Sequence, residues 1–591
     1  MKITIKRLLQ LFNKREKKKL LILFFMMIVA ALFETVGIGL IVPFVGIVTD
    51  PVIIQEQAIL TYIYDLFNFQ STTAFIVFSV ITLLAIFVLK NLYLLLFNYA
   101  QFRVILNQQV KLSRKLFREY LIKPYTFHLQ RNTADLLRNV NGEVSKVFQG
   151  IVMSSFQLFT ELLVITCILI LLLVTAPIAT LVASILLGGS VFLFFAFLRK
   201  KISLLGKEQQ KVSGTMIKWV NQGLGASKEV KVSGKESFFI NSYTGQSQIK
   251  ANNSRYMKML EVSPRLFIET LLVSIVLTTM LIIVSQGTSL TQLVSTMALF
   301  AMASFRLMPS ITRVVSLITS IRYNQPALSV VYNDLFSNKD KNEKVKSNKE
   351  SVIVNRGERT FKDSIKLNKV YFRYPNQHVY SIKDISLTIP IGQSVAFVGE
   401  SGAGKTTLVD IILGLFEPEK GTVLIDGKNL HDQKKLWQQK IGYIPQSIFL
   451  SDDSIRGNVA FGIDKKHIDD EEVWRALEQA QLKEFVEELP EKLETTVGER
   501  GVRISGGQRQ RIGIARALYH NPEILFMDEA TSALDNETEK EIMKAIDGLK
   551  GEKTLVIIAH RLSTIENCDI VFKINKAELV AIDNKIEKSI I

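Results

Sequence analysis

The sequence predicts a membrane protein of two unlike halves: six transmembrane helices followed by a soluble α/β domain. In this chain of 591 residues, 48% are apolar and 21% are charged, and the mean hydropathy is positive. Such a composition excludes a simple string of water-soluble domains. The long uncharged runs all fall in the first half, whereas short apolar runs typical of buried strands fill the second. The chain therefore combines a lipid-embedded part with a water-soluble part.

Four apolar stretches in the first half are long enough to cross a bilayer core, which takes about 20 helical residues. They are residues 20–48, 72–102, 162–198 and 270–305. The last two are too long for one crossing, so each predicts a helical hairpin. Thr175-Ala176-Pro177 and the polar run from Ser285 to Ser289 supply the two turns. The four stretches therefore predict six spans.

The loops predict the orientation of these spans. Basic residues precede the first span and follow the second, whereas the loop 49–71 between them has no Lys or Arg. Positive residues mark the cytoplasmic side, so both termini are expected there. The same outer loop carries apolar residues at helical spacing from Ile53 to Phe67. This pattern fits either an amphipathic helix on the outer leaflet or a packed extracellular cap.

The net charge and the cysteines narrow the class of protein further. A net charge of +17 is compatible with nucleic acid, an anionic membrane surface or an acidic ligand. Much of the basic excess lies in the predicted cytoplasmic loops, where anionic lipid attracts it, so we expect no nucleic-acid partner. Cys167 and Cys568 are too few for a disulfide framework and belong to no metal-ligand cluster.

The first motif of the second half is a phosphate-binding loop. Gly399-Glu400-Ser401-Gly402-Ala403-Gly404-Lys405-Thr406 fits the pattern G-x-x-x-x-G-K-[ST]; it follows an apolar strand, and Thr407 continues the helix that it opens. The glycines let backbone N–H groups turn toward phosphate oxygens. Lys405 is placed to neutralise the β and γ phosphates, and the Thr406 hydroxyl to bind Mg²⁺. This segment predicts a nucleotide site.

An acidic pair, Asp528-Glu529, follows the apolar strand 524–527. Asp528 suits Mg²⁺, bound through water, and Glu529 suits the orientation or deprotonation of an attacking water. In isolation such a pair is also a common way to begin a loop. Together with the phosphate-binding loop it predicts nucleotide hydrolysis.

Between these motifs lies Ile504-Ser505-Gly506-Gly507-Gln508, which resembles the LSGGQ signature of ATP-binding cassettes, with Ile504 in the leucine position. Since six spans precede it, the whole chain resembles an ABC exporter half-transporter. The resemblance implies a six-helix exporter-type transmembrane domain followed by an α/β P-loop ATP-binding cassette that uses ATP and Mg²⁺. We expect the transmembrane domain with its cytoplasmic helical extensions over 1–330, a linker over 331–362 and the cassette over 363–591.

The resemblance also assigns roles to single residues. Tyr374 matches the aromatic residue that stacks on adenine, and Gln446 the glutamine that senses Mg²⁺ and water. His560 matches the histidine at the γ-phosphate, so Glu529, His560 and Gln446 form the expected catalytic set. The expected Mg²⁺ ligands are Thr406, Gln446 and Asp528.

The family also implies a partner, because its ATP is bound between the P-loop of one cassette and the Ser505–Gln508 segment of another. The intact motifs predict a homodimer and leave a heterodimer open. The segments around 123–131 and 223–239 are expected to dock onto the cassettes.

Four basic residues stand in or beside the predicted spans, where an isolated charge costs about 2.5 to 3.5 kcal/mol. They are Lys90, Arg265, Arg306 and Arg313. All four fall in the cytoplasmic half of the membrane, where they suit a multivalent anion such as a diphosphate, because arginine binds phosphate oxygens bidentately. The alternatives are snorkelling to the inner headgroups, or ion pairs of Arg265 with Glu269 and of Lys90 with Glu161.

Shorter stretches resemble one subfamily, the flippases for lipid-linked oligosaccharides. They include Phe33-Glu34-Thr35, Ser263-Pro264-Arg265 and Arg306-Leu307-Met308-Pro309-Ser310. This resemblance implies ATP-driven movement of a polyprenyl-diphosphate-linked oligosaccharide to the outer leaflet of a bacterial cytoplasmic membrane. The expected partners are then a second copy of the chain, membrane lipid and the anionic lipid-linked substrate. The alternative is a general lipid or multidrug exporter.

Overall fold

The computed structural model describes residues 2–40, 44, 47–48, 51–175, 177–285, 290–336, 360–528, 536–559, 565 and 567–584. The chain forms two compact units. The first comprises Met1–Lys123 and Arg131–Lys346, and the second comprises Pro124–Gln130 and Ser347–Ile591. The second unit therefore includes a short segment from within the first half of the sequence.

The described part of the first half is mainly helical. Its helices, in chain order, are α1 (Lys2–Gln10), α2 (Lys14–Gly39), α3 (Ile53–Glu56), α4 (Ala58–Leu66), α5 (Thr72–Ile122), α6 (Tyr125–Leu129), α7 (Thr133–Arg138), α8 (Ser154–Thr175), α9 (Pro177–Gly225), α10 (Ser227–Ser233), α11 (Glu236–Ser285) and α12 (Leu290–Phe336). Two π-helical segments, Asn139–Glu143 and Lys146–Met153, join α7 to α8. Helix α6 belongs to the second unit, and the other helices belong to the first.

The long helices begin and end where the sequence places stop signals. Helix α5 begins after Ser71, whose hydroxyl accepts a hydrogen bond from the Ala74 N–H, and it ends before Pro124. Helix α8 ends at Thr175 and α9 begins at Pro177, as predicted, because proline fits the first turn of a helix but not its interior. Helix α11 ends at Ser285, and residues 286–289 of the other predicted turn lie outside the described residues.

Six of these helices, α2, α5, α8, α9, α11 and α12, match the six predicted spans. Within the described ranges, two helical runs are long and apolar enough to cross a membrane, Thr72–Ile122 and Thr133–Ile170. Val77, Ile81, Leu84 and Val88 form an exposed apolar stripe along α5. A stripe of this kind suits contact with lipid rather than water.

The inner sides of the helices share an apolar core. Helix α8 packs against α12, and α11 packs against both α9 and α12. Val164 and Ile168 of α8, Ile268 of α11, and Ile311 and Val315 of α12 are buried together in this core. The core therefore holds the helices that carry Arg265, Arg306 and Arg313.

The first outer loop has features of both structures predicted for it. Leu60, Ile63 and Tyr64 of α4 pack against the buried side chains of Ile54 and Phe75, as in a packed cap. On the opposite side, Ile59 of α4 is 75% exposed and Tyr62 is 66% exposed. Helix α4 therefore packs on one face and presents apolar side chains on the other.

The second unit is an α/β domain. Its strands are β1 (Ser364–Phe372), β2 (Ile382–Pro390), β3 (Ser394–Val398), β4 (Lys420–Ile425), β5 (Lys428–Asn429), β6 (Ile441–Ile444), β7 (Ile524–Asp528), β8 (Thr554–Ile558), β9 (Ile570–Asn575) and β10 (Glu578–Asn584). Its further helices are α13 (Lys405–Ile412), α14 (Lys434–Lys440), α15 (Ile455–Val459), α16 (Asp470–Gln479), α17 (Lys483–Glu488), α18 (Gly506–Leu518) and α19 (Asn536–Asp547). Short 3₁₀ turns lie at Lys465–His467, Lys492–Glu494 and Glu499–Gly501.

Two sheets build the described part of this domain. One has the order β2-β1-β4-β5 and is antiparallel, and the other has the order β10-β9-β3-β8-β7-β6. In the larger sheet, β9, β3, β8, β7 and β6 are parallel, and β10 pairs antiparallel with β9 at the edge. Strands β7 and β8 are buried along their whole length, which explains their continuous apolar sequences.

Candidate functional site

The phosphate-binding loop leaves the carboxyl end of β3, in the middle of the larger sheet. Gly399, Gly402 and Gly404 have φ values of 152°, 82° and 106°. A Cβ atom at Gly399 would lie 2.1 Å from the Ile574 carbonyl oxygen, and one at Gly404 would lie 2.6 Å from that of Ser381. Glycine is therefore required at both positions, by backbone conformation and by space.

Lys405 places its ammonium inside this loop. Its Nζ donates hydrogen bonds to the carbonyl oxygens of Gly399, at 2.8 Å, and Glu400, at 2.9 Å, and the residue is 6% exposed. A buried ammonium of this kind needs acceptors, and phosphate oxygens are stronger acceptors than carbonyls. The backbone N–H groups at the start of α13 add positive potential there. The loop residues therefore fit the phosphates of ATP.

The predicted magnesium ligands lie at the same edge of the sheet. Asp528 is the last residue of β7 and is 6% exposed, and Thr406 is exposed in the first turn of α13. Ile444 of β6 pairs with Met527 of β7, and Gln446 follows two residues beyond Ile444. The carboxyl ends of parallel strands are where α/β sheets bind ligands. Hydroxyl, amide and carboxylate oxygens suit Mg²⁺, and the assignment stays a prediction.

Two expected catalytic residues lie outside the described residues. Glu529 directly follows Asp528, and His560 follows Ala559, whose N–H donates to the Phe397 carbonyl of β3. The roles of Glu529 and His560 remain predictions.

Tyr374 is one of the residues that line an open cavity of 660 Å³. Its hydroxyl lies 3.0 Å from the Thr407 hydroxyl, and its ring packs edge-on against Phe416 at 5.5 Å. Burial raises the pKa of Tyr374, which therefore stays neutral. The Thr407 side chain thus contacts the predicted adenine platform, and its expected part in nucleotide binding, beside Thr406, stays a prediction. Sequence reasoning missed Phe416.

The signature segment begins α18. The Ser505 hydroxyl accepts from the Gln508 N–H, and the Gln508 Oε1 accepts from the Ser505 N–H at 2.9 Å, which forms a capping box. Ser505 and Gly506 are exposed, and a Cβ atom at Gly506 would meet no atom within 4 Å. Gly507 is half-buried in the same turn. The segment is rigid and accessible, as a surface that meets another cassette requires.

Asp410 is a further acid near the site that sequence reasoning missed. It is half-buried in α13, and burial together with the negative charge of Asp528 raises its pKa to about 7. It is the one charged residue in the apolar run from Thr407 to Phe416, a signal that could have identified it.

The basic residues of the membrane half differ in their contacts. Arg313 Nη1 donates to Glu161 Oε1 at 2.8 Å and so joins α12 to α8. Among the described residues no ion pair joins Lys90 to Glu161, whose partner there is Arg313. Lys90 is half-buried, with Nζ 4.5 Å from the ring centre of Phe87.

Arg265 is exposed on α11, and no ion pair joins it to Glu269 in the part of the chain that the structure describes. Arg306 belongs to α12, and its side chain lies outside the described residues.

The two segments expected to dock onto cassettes are also described. Helix α6, in the first segment, belongs to the second unit, where the ring of Tyr125 lies 5.9 Å from that of Phe416. The second segment contains α10, and Phe238 and Phe239 beside it both pack edge-on against Trp219.

Comparison with known proteins fits this picture. The family described as ABC transporter matches residues 382–532, and the ABC transporter transmembrane region matches residues 36–307. An ATP-dependent lipid A-core flippase of Cupriavidus pinatubonensis is 30% identical over 465 residues, which cover 78% of this chain and 76% of that protein. The protein of the same name from Cupriavidus metallidurans is 31% identical over 466 residues, with the same coverage. A bacterial Atm1-family ABC exporter with ATP bound shares the fold, with a TM-score of 0.77 and 22% identity over 98% of this chain and 96% of that one.

The fold and the nucleotide site define a membrane protein powered by a P-loop ATPase. The chain belongs to the ABC transporters, as an exporter-type half-transporter with a transmembrane domain and an ATP-binding cassette. It uses ATP, with Mg²⁺ as the usual ion, and couples hydrolysis to translocation. Half-transporters of this kind typically dimerise.

Proposed function

We propose that this chain forms a homodimer that uses ATP hydrolysis to flip a polyprenyl-diphosphate-linked oligosaccharide from the inner to the outer leaflet of a bacterial cytoplasmic membrane. The observation that carries the proposal is the common depth of four basic residues. Lys90, Arg265, Arg306 and Arg313 lie about 24 to 35 Å from the outer ends of their helices, at a rise of about 1.5 Å per residue. With a hydrocarbon core about 30 Å thick, this depth is near the inner leaflet.

The contacts of Arg313 support this proposal. One guanidinium nitrogen pairs with Glu161, which is 9% exposed, while the Arg313 side chain remains 62% exposed. Because a guanidinium has five N–H donors, the pair fixes the arginine and leaves donors for a phosphate. Lys90 and Arg265 lie on two other spans of the same domain, α5 and α11. Four cations, doubled in a dimer, suit a diphosphate better than an uncharged drug.

In the cassette, the proposed roles follow the motifs. Gly399 to Thr406 would hold the phosphates, and Asp528 with Gln446 would hold Mg²⁺. That ion would neutralise charge that develops on the transferred phosphate. Glu529 would orient or deprotonate the attacking water, with His560 at the γ-phosphate. Ser505 to Gln508 would complete the site of the second copy, which is why a homodimer has two equivalent sites.

General lipid export is the second candidate function. Several relatives bear the name ATP-dependent lipid A-core flippase, and this name supports a lipid as the cargo without supporting a polyprenyl carrier. Both candidates place the cargo on the same path, and they differ in which headgroup the basic residues select.

The test reconstitutes this chain alone in vesicles with one of two fluorescent probes, a polyprenyl-diphosphate oligosaccharide or lipid A. Loss of accessibility of the probe in the leaflet that faces the cassettes is measured after addition of ATP. We expect the first probe to move, and Arg265→Ala and Arg306→Ala to slow it at least about tenfold, a loss of about 1.4 kcal/mol.

Arg255→Ala is the matched control, because Arg255 lies exposed on α11 and bonds to Asn252 at 3.1 Å, within its own helix. Movement of lipid A alone, unaffected by the arginine variants, would favour general lipid export. Movement of neither probe would refute both candidates.

A further inference from the structure

Asp334 is a buried carboxylate near the end of α12. It is 7% exposed. Its Oδ2 accepts from the Tyr120 hydroxyl at 2.5 Å and from Asn139 Nδ2 at 3.0 Å. Its Oδ1 lies 3.8 Å from Arg131 Nη2. Its backbone carbonyl accepts from Lys123 Nζ at 3.2 Å. One residue of α12 therefore holds four partners from another stretch of the chain.

Three of these partners lie close to one short segment of the sequence. Tyr120 and Lys123 come just before the segment Pro124–Gln130, and Arg131 comes just after it. The partners of Asp334 thus flank the Pro124–Gln130 segment on both sides. The segment itself contains Tyr125, whose ring meets Phe416 in the second unit.

The cluster continues through polar side chains rather than apolar packing. Arg138 Nη2 donates to Asn139 Oδ1 at 2.9 Å, and Glu143, which is fully buried, accepts from Gln210 Nε2 at 2.6 Å. Asn139 and Glu143 form the ends of a π-helical segment, a geometry often found at functional sites. Burying charged groups is costly, and apolar residues would stabilise the same contact as well or better. The choice of polar groups therefore points to a role beyond stability.

Asp334 also shares its helix with the residues proposed to meet substrate. It lies 21 residues beyond Arg313, or about 31 Å along α12 at a rise of about 1.5 Å per residue. A displacement of α12 therefore reaches the two ends of the Pro124–Gln130 segment through one carboxylate. Elements with discrete hydrogen-bonded arrangements carry conformational coupling.

We propose that Asp334 is a positioning residue that couples movement of α12 to the Pro124–Gln130 segment, so that nucleotide events in the cassette and rearrangement of the membrane helices proceed together. The role holds for any transported lipid, because the cluster includes none of the predicted nucleotide-binding residues and none of Lys90, Arg265, Arg306 and Arg313.

The test uses the full-length chain and needs no transported substrate. Cys167 and Cys568 are replaced by alanine, and a spin label is attached through Lys207→Cys, an exposed position on α9. The distance between the two labels of a dimer is measured by pulsed electron resonance before and after trapping with ATP and vanadate. The amount of trapped nucleotide is measured on the same samples.

The informative variants are Asp334→Asn, Asp334→Ala, Asp334→Glu and Tyr120→Phe. Glu16→Gln is the matched control, because Glu16 is also paired with a basic residue, Lys111 at 3.6 Å, and lies outside the cluster. We expect Asp334→Asn and Asp334→Ala to trap nucleotide like the parent while the population of shifted distances falls about fivefold or more, as for a coupling loss above about 1 kcal/mol. Asp334→Glu should restore part of the shift, and Glu16→Gln should leave it unchanged.

Three results would overturn the proposal. One is a full distance shift in Asp334→Ala. Another is a parallel fall of trapping and distance shift in Asp334→Asn, which would place the defect in the nucleotide site or in folding. If Asp334→Ala does not fold, the distance shift of Tyr120→Phe is the test, because this variant removes one hydrogen bond to Asp334 and keeps the carboxylate. A full shift in that variant is the third contrary result.

Discussion

Glu523 offers a sharp test of how the cassette is held together, through the substitution Glu523→Gln. The carboxylate lies 2.7 Å from Lys440 Nζ and accepts the backbone N–H groups of Thr360, at 2.9 Å, and Phe361, at 3.1 Å. The side chains of Glu523 and Lys440 are 14% and 15% exposed. Glu523 therefore ties the first described residues of the cassette to the edge between β6 and β7.

The free energy that Glu523→Gln should lose follows from these contacts. Burial works against the charged carboxylate, but Lys440 and the backbone donors of Thr360 and Phe361 outweigh it and lower the pKa of Glu523 below its ordinary 4.5. Glutamine keeps an acceptor oxygen and loses the charge opposite three donors. Hydrogen bonds to charged groups contribute about 1.5 to 3 kcal/mol against about 1 for neutral ones, so we expect a loss of about 2 to 4 kcal/mol in all.

Hydrogen exchange of the full-length chain measures this loss. The amides of Thr360 and Phe361 should exchange roughly 30 to 900 times faster in Glu523→Gln, at about 1.4 kcal/mol per factor of ten. Glu484→Gln, at an exposed position on α17, is the control. Because the pKa is lowered on folding, the stabilisation is fully present above pH 4.5 and disappears as the pH falls through the folded-state pKa. Equal exchange in variant and parent at neutral pH would refute the reasoning.

Three other perturbations test the nucleotide site. The pKa of Asp410 is raised on folding to about 7, so the free energy of unfolding of the parent should fall as the pH rises from about 4 to 7. At pH 8 Asp410→Asn should be more stable than the parent by about 1 to 2 kcal/mol, a figure reduced for partial exposure, and equal stability at pH 8 would contradict this. Gly404→Ala should weaken binding of a fluorescent ATP analogue at least about tenfold, because its Cβ would lie 2.6 Å from the Ser381 carbonyl oxygen at a φ of 106°; unchanged affinity would contradict the loop geometry. Phe416→Ala should raise the KM for ATP about three- to tenfold at unchanged kcat, because Tyr374 loses its edge contact; a lower kcat at unchanged KM would place the role of Phe416 elsewhere.

Much of the architecture could be predicted from local signals. Pro177 marks the boundary between α8 and α9 because proline acts on its own backbone. The loop from Gly399 to Thr406 could be recognised because strand, turn and helix are contiguous in sequence, and its glycines are required by local conformation and close contacts.

The contacts that sequence could not supply are those between distant elements. From the predicted depth in the membrane, Glu161 could pair with Lys90. Its partner is Arg313, because α8 packs against α12. Asp334 carries no motif, and its importance follows from the residues that the fold brings to it. Glu523 precedes a strand as many acids do, and its partners Thr360 and Phe361 lie far away in sequence.

We propose that ATP hydrolysis by this chain drives a lipid-linked anion across the membrane. The most direct measurement follows a fluorescent polyprenyl-diphosphate oligosaccharide in vesicles that contain this chain alone, comparing the parent with Glu529→Gln. In the parent we expect ATP to move the probe out of the leaflet that faces the cassettes. In the variant we expect neither probe movement nor ATP turnover. Equal probe movement in the two, or movement without ATP, would contradict the proposal.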